Sequence, residues 1–448
     1  MIDWYLLIFL FIGILIFNLE KLANSSSLIN FIGIKGGAGI KHGTILVWVS
    51  LCTQIFLFIP VYTVLHFGLL SSILSSVCFL FLVYVIVQHL SRILSAQPAD
   101  KPILLEYYQS KLSRNAFPVM MILIFIANID GFILQLPLAG FIFHVNFSNS
   151  AFYFTLFITV FSVLIAGLGG MQAIYRTGYV FLLICGFILF FVPLFLYLKE
   201  GIHTVFQHFT HMSIQPENRL IFGSAIIMTT IGNLMTHSFL WQALLSISSN
   251  YRRSGIKLSI FCYAAVPFSV TLYTVYYISH AYFQHPSLIT THFFALPLAF
   301  FQTLILIVWL FSIVTSVMFS IFSLALLFIK FFYNNPSQKI ARNFYLIVMA
   351  TTAVLLLLQI GLCKYLSFIW KGYFLFYVAV SLPFWSLLMS RKKHTLLFPT
   401  SVVLIWLIGV ALLCFSHKLL LALIITGVGS MLIFLLVLLP ENRQDFIK

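Results

Sequence analysis

GGMQAIYRTGYVF, residues 169 to 181, places two adjacent glycines and one arginine between two long apolar runs. A residue without Cβ reaches backbone conformations closed to the others, so the glycines permit a tight reversal. An arginine is costly at membrane depth, so Arg176 belongs near a surface. The stretch therefore predicts a cytoplasmic turn with a spanning helix on either side. The whole chain has the same character: of 448 residues, 62% are hydrophobic and 7% charged, with a mean hydropathy of +1.10. Soluble domains do not have that composition.

A spanning helix needs about 20 mostly apolar residues. Thirteen runs meet or approach that length, at residues 4–22, 43–67, 69–93, 116–143, 149–169, 176–198, 221–247, 257–281, 294–329, 344–363, 367–390, 395–416 and 418–439. The first lacks a basic leader and a following small-residue cleavage site, and it reads as a true span. Thirteen spans put the termini on opposite sides, and lysine and arginine in short loops mark the inner side. With the N-terminus outside, nineteen basic residues, Arg176 and the Arg391, Lys392, Lys393 turn among them, face the cytoplasm. Lys199, Arg219, Lys364, Lys371 and Lys418 remain outside. The expectation is an all-α multi-pass protein of the cell inner or plasma membrane, with the C-terminus cytoplasmic.

The net charge of +15 follows from that orientation. The basic residues are scattered through loops, and no basic domain is present to hold nucleic acid. All six cysteines fall in apolar runs without CxxC spacing, as membrane-packing residues do. The longest polar loops, residues 95–115 and 199–220, are too short to fold alone. Any function therefore lies within the membrane, with the lipid bilayer as a partner.

Irregular backbone at membrane depth is tolerated where protein or a water-filled cavity satisfies it. Pro60, Asp130 with Gly131 and Pro137, Gly232 with Asn233, Pro267 and Pro383 are the candidate breakers. Asp130 is the one acidic residue well inside a span; it reads either as a cation or proton site, with Asn128 and Gln135 nearby, or as a carboxylate bonded within the bundle. The ninth run carries Ser312, Thr315, Ser316, Ser320 and Ser323. Hydroxyls beside a free carbonyl supply hard oxygens to a small cation such as sodium, though membrane Ser and Thr also bond their own i−4 carbonyls. In the seventh run Asn233 and His237 stand four apart, on one helical face. They could line a solute site, or His237 could be a packing group. His203, His208 and His211 lack a carboxylate or cysteine at ligand spacing and read as a solvated loop. No Walker A sequence, nucleophile, acid–base pair or metal cluster is evident, which argues against an enzyme and against ATP-driven transport.

These residues resemble the sodium:solute symporter family. GGMQAIYRTGYVF is similar to its signature after the fifth span, LLEYYQSKL at 104–112 to its Pro-Glu-Tyr segment, and WQALLSISSNYRRSG at 241–255 to its Gln-Arg segment. Thr315 and Ser316 fall where the family carries a Ser-Thr pair, and Pro383 before the RKK turn fits its eleventh span. The resemblance implies one transmembrane domain with an amino acid-polyamine-organocation-like five-plus-five inverted-repeat fold. An extra helix at 4–22 would precede repeats at 43–198 and 221–390, with trailing helices at 395–439.

Solute and ion are then expected near the midplane, where the first helix of each repeat is broken, in the spans containing Pro60 and Gly232. The family's second sodium site implies the Ser312 carbonyl, the Thr315 and Ser316 hydroxyls, and carbonyls near Trp48 and Leu51. Gln54, Asn128, Asp130, Gln135, Asn233 and His237 are the candidate solute contacts. Gly178, Phe181, Trp241 with Gln242, and Met318 stand where the family has an aspartate, a glutamine, a Gln-Arg pair and an aspartate. The implied function is a secondary transporter moving a small organic solute with sodium, and no other cofactor is expected. Its alternatives are a proton-coupled carrier using Asp130 and a transport-inactive sensor or assembly partner that keeps the fold.

Overall fold

A chain this apolar must bond every N–H and C=O within its own segment when it enters hydrocarbon, which favours helices. The computed structural model describes residues 2–24, 31–33, 39–52, 54–94, 103–139, 151–210, 219–280, 299–332, 365–390 and 392–438. Among them the regular elements are helical. In chain order, α1 (Ile2–Asn24) is followed by α2 (Ile40–Leu51) and α3 (Gln54–Phe67), the two halves of the second expected span. Next come α4 (Leu69–Leu94), the short α5 (Ile103–Lys111), and α6 (Ala116–Asn128), which continues into a π-helical stretch, Gly131–Gln135. α7 (Ala151–Ser162) leads through a second π-helical stretch, Val163–Leu168, into α8 (Gly169–Glu200), with α9 (Ile202–Thr210) after it. α10 (Arg219–Thr236) and α11 (Ser238–Ser246) share the seventh span, and α12 (Ser249–His280) and α13 (Ala299–Phe332) make the eighth and ninth. The expected span at 344–363 lies outside the described residues. α14 (Leu366–Met389), α15 (Leu397–Ser416) and α16 (Leu419–Leu438) complete the order. Among the described residues eight helices are long and apolar enough to cross a membrane, or nine when α10 and α11 count as one span.

The opening stretch begins α8. Continuous helix is assigned from Thr155 to Glu200, 46 residues, which at 1.5 Å per residue is about twice the hydrocarbon thickness. The helical conformation fails within it at Gly170, φ 58° and ψ −151°, so the two expected spans meet there. A Cβ on Gly170 would lie 2.6 Å from the Phe31 carbonyl oxygen and 2.8 Å from its ring. Gly170→Ala therefore combines positive-φ backbone strain of about 1–3 kcal/mol with overpacking of about 1–3 kcal/mol. The expected result is a clear loss of monodisperse protein after mild heating in detergent. Beyond the turn, Arg176 Nη2 pairs with Glu20 Oε2 at 3.0 Å, and Nη1 donates to the Phe17 carbonyl at 3.2 Å. Exposed as it is, this pair orients the end of α1 more than it stabilises.

The chain divides into two compact units. The first comprises Met1–Ile103, Asn128–Glu217 and Ser238–Leu366. At its centre is α13, with 94% of its most apolar window buried against 33% for α4. It packs on α3, α7, α8, α11 and both π-helical stretches, while α12 packs on α2, α3, α4, α8 and α9. A helix whose buried polar groups are hydroxyls, with apolar side chains on its other faces, belongs in such a core.

The second unit comprises Leu104–Ala127, Asn218–His237 and Ser367–Lys448. Tyrosine hydroxyls tie its backbones: Tyr108 donates to Met235 O, Tyr373 to Ile126 O and Tyr377 to Ala127 O, each at 3.1 Å. Gly232 sits directly on α14, where a Cβ would overlap the Tyr377 carbonyl oxygen. α15 and α16 pack on each other, with only 28% of their windows buried, and turn Leu404, Leu407, Phe415 and Leu436 outward. Faces of that kind suit contact with lipid.

Candidate functional site

The first break in the second span falls at Cys52, where φ is −79° and ψ 46°. Pro60, the expected breaker, lies inside α3 without ending it. The Cys52 N–H closes on the Trp48 and Val49 carbonyls at 3.1 Å. Its own carbonyl accepts a hydrogen bond from Ser312 Oγ at 2.9 Å. Thr315 Oγ1 and Ser316 Oγ both donate to the Ser312 carbonyl at 2.9 Å. The interrupted helix end and the hydroxyls of α13 thus form one cluster, in which Ser312, Thr315, Ser316 and Cys52 are all at most 3% exposed.

This is a set of hard, neutral oxygens at a broken helix, the ligand type that suits a small alkali cation. The carbonyl Ser312 meets is one residue beyond the expected Leu51, while the Trp48 carbonyl is engaged by the closing N–H. The Trp48 ring packs on Phe181 at 5.5 Å, and Phe181 on Phe311 at 4.8 Å. Phe181 and Phe311 thereby pack apolar surface against Trp48, in the helix that ends at the break.

The hydroxyl face of α13 continues to the fourth span. The Gly131 N–H donates to Ser320 Oγ at 3.1 Å. Its α-carbon lies so close to α13 that a Cβ would stand 2.5 Å from both the Ser316 carbonyl oxygen and Ser320 Oγ. The half-buried Asp130 precedes it, so the span's one carboxylate is carried on backbone that touches the cluster. Asn128 Oδ1 accepts from Ser323 Oγ at 2.9 Å and from the Ser238 N–H at 3.0 Å. Ser238 opens α11, immediately after the break at His237, and its N–H is one of the orphan donors of a helix start.

Gln135, 1% exposed, ends the π-helical stretch, and its Oε1 finds no partner among the described residues. Gln54 begins α3, next to the first break. In the second unit, Asn233 Oδ1 is likewise buried and without a partner among the described residues. The neighbouring hydroxyls are committed to their own helix: Thr229 to Ala225 O, Thr230 to Ile226 O and Thr236 to Gly232 O. α10 stops at Thr236, so His237 lies in the break and does not share a continuous helical face with Asn233. The break is at His237, with Gly232 still inside the helix.

Cys52 and Ser238 were not among the expected site residues. The signal for the first is the polar Cys52-Thr53-Gln54 interruption of an apolar run; the second has only the caps-before-helix preference of serine. Trp241 is fully buried, and Gln242 accepts from the Ile103 N–H at 3.4 Å, so both are used within the first unit. Gly178 presses α8 onto α2: a Cβ there would overlap the Val49 Cγ2 methyl and lie 3.3 Å from Ile45 Cγ2. Among the described residues no group of three or more His, Cys, Asp or Glu side chains is placed to hold a metal; His203 is exposed on α9, and His211 lies outside the described residues.

No protein-family model and no curated protein matches the sequence. Solved structures do match. A Na+-coupled sialic acid symporter, in a substrate-bound outward-open state, superposes with a TM-score of 0.71 at 11% identity over 98% of this chain and 98% of that one. A manganese transporter of Eremococcus coleocola gives 0.53 at 14% identity, over 92% and 94% of the two chains. Mhp1, a nucleobase-cation-symport-1 family transporter, gives 0.51 at 10% identity with the same coverage. The chain therefore has the all-helical fold of these membrane transporters, shared by proteins that handle chemically different cargoes.

Proposed function

We propose that this protein is a secondary transporter that works by alternating access and moves a small organic solute together with sodium. The observation that carries this reading is the bond from Ser312 to the Cys52 carbonyl, which brings the break between α2 and α3 to a cluster of cation-competent oxygens. Sodium would be held by the Ser312 carbonyl, the Thr315 and Ser316 hydroxyls and backbone oxygens of residues 48–52. Gln135, in the first unit, buries an acceptor oxygen without a partner among the described residues, which costs about 1–3 kcal/mol when unmet. A solute offering N–H or O–H donors would recover that energy. The repeats would span 43–198 and 221–390, with the basic loops cytoplasmic.

Counterflow in proteoliposomes with amino acids, sugars, carboxylates and vitamins, with and without sodium, tests the proposal. Thr315→Ala or Ser316→Ala each removes one oxygen ligand. A hydrogen-bonding group facing a charge is worth about 1.5–3 kcal/mol, so the sodium concentration for half-maximal uptake is expected to rise roughly ten- to hundred-fold. Uptake that ignores sodium in the unsubstituted protein would sink the sodium reading. A second reading, proton coupling through Asp130, is favoured by the contact of its neighbour Gly131 with Ser316 and Ser320. Under it, uptake follows an imposed pH gradient and is abolished in Asp130→Asn.

A further inference from the structure

The second unit contains a cavity of about 550 Å³ at the basic end of α14, α15 and α16. That volume lies within the roughly 300–1,000 Å³ usual for ligand sites. Its lining includes Lys392, Lys393 and His394 together with the apolar Phe398, Ile433 and Leu436, and no lining residue is acidic. Both lysines are exposed, while Phe398 and Ile433 are buried and Leu436 is 69% exposed.

The basic rim is fixed in place. His394 pairs in a parallel bridge with Leu112: its N–H donates to Lys111 O and its carbonyl accepts from the Ser113 N–H, both at 2.9 Å. Lys111 Nζ donates to Ser390 O at 2.6 Å, Ser390 Oγ accepts from the Lys392 N–H at 3.2 Å, and the same hydroxyl lies 2.9 Å from His394 Nε2. Burial first, then the positive charges of Lys111 and Lys392, lowers the His394 pKa below its ordinary value. Near neutral pH the charge on the rim is therefore that of the lysines.

A basic turn held by its backbone, sharing one cavity with apolar side chains, fits a ligand with an anionic head and hydrocarbon tails. We propose that this cavity binds one anionic phospholipid, its phosphate on Lys392 and Lys393 and its acyl chains along the outward faces of α15 and α16. Basic residues at an anionic membrane surface contribute on a scale of roughly five-fold in affinity each. Charge complementarity selects the head, and the exposed leucines select a lipid over a soluble anion.

The test is native mass spectrometry of the full chain in detergent, titrated separately with phosphatidylglycerol, phosphatidylcholine and sn-glycerol 3-phosphate. One phosphatidylglycerol is expected to bind in preference to phosphatidylcholine. Lys392→Gln with Lys393→Gln is expected to weaken it more than ten-fold, and Lys392→Arg with Lys393→Arg to retain it. Arg253→Gln with Lys257→Gln, an exposed basic pair on α12, is expected to leave binding unchanged. Equal losses from both glutamine pairs would show diffuse attraction and overturn the site. So would equal binding of the two lipids, or glycerol phosphate binding as tightly as phosphatidylglycerol.

Discussion

Gly131→Ala is expected to eliminate sodium-stimulated uptake, with protein that still inserts in the membrane. The α-carbon of Gly131 rests on α13 so closely that a methyl would lie 2.5 Å from the Ser316 carbonyl oxygen and 2.8 Å from its carbon. Backbone cannot rotate aside as a side-chain tip does, so the π-helical stretch and α13 must separate. The overpacking costs about 1–3 kcal/mol, and the separation displaces Ser316, one of the proposed sodium ligands. Ser320→Ala provides the comparison. It removes the acceptor of the Gly131 N–H without adding volume and is expected to weaken uptake only in part. Adding Ser320→Gly to Gly131→Ala should not restore activity, because the carbonyl obstacle remains. Wild-type uptake by Gly131→Ala would disprove the role of this contact.

Gly178→Asp introduces a carboxylate at a tight helix–helix contact and is expected to abolish folded protein. The first atom of the new side chain already overlaps Val49, and the carboxylate would be buried between α8 and α2, a cost on the order of several kcal/mol unless it is paired. Gly178→Ala should be intermediate, and Val49→Ala should partly rescue it by clearing the nearest methyl. Size-exclusion profiles of tagged protein in detergent read out all three. A monodisperse, normally abundant Gly178→Asp variant would refute the close packing.

The eight long apolar helices of the described residues were legible in the sequence because membrane insertion imposes a length and a hydropathy that any long apolar run reveals. Gly170 was legible too, since a paired glycine beside an arginine has few uses in such a chain. The hydroxyl positions of α13 were visible as a spacing, but their partner was not: Cys52 contributes a backbone carbonyl, which no residue type advertises. The breaks were placed at Pro60 and Gly232 because those residues break helices in water. Pro60 instead stays within α3, and Gly232 serves contact with Tyr377. Gly178 shows the same limit from the other side. Set beside the signature that residues 169–181 resemble, it is a missing charge; in the structure it is the surface on which α2 rests.

Ser312, Ser316, Ser320 and Ser323 recur on α13 at intervals of four, four and three residues, and at 100° per residue they fall within one narrow stripe. Through that stripe α13 holds the Cys52 carbonyl near one end and, by way of Asn128, the start of α11 near the other. Both interrupted helices are thereby indexed to the rotational phase of a single rod. Hydroxyls can be exchanged along this helix only at constant phase, and a one-residue insertion between Ser312 and Ser323 would put the two breaks out of step while leaving its composition unchanged.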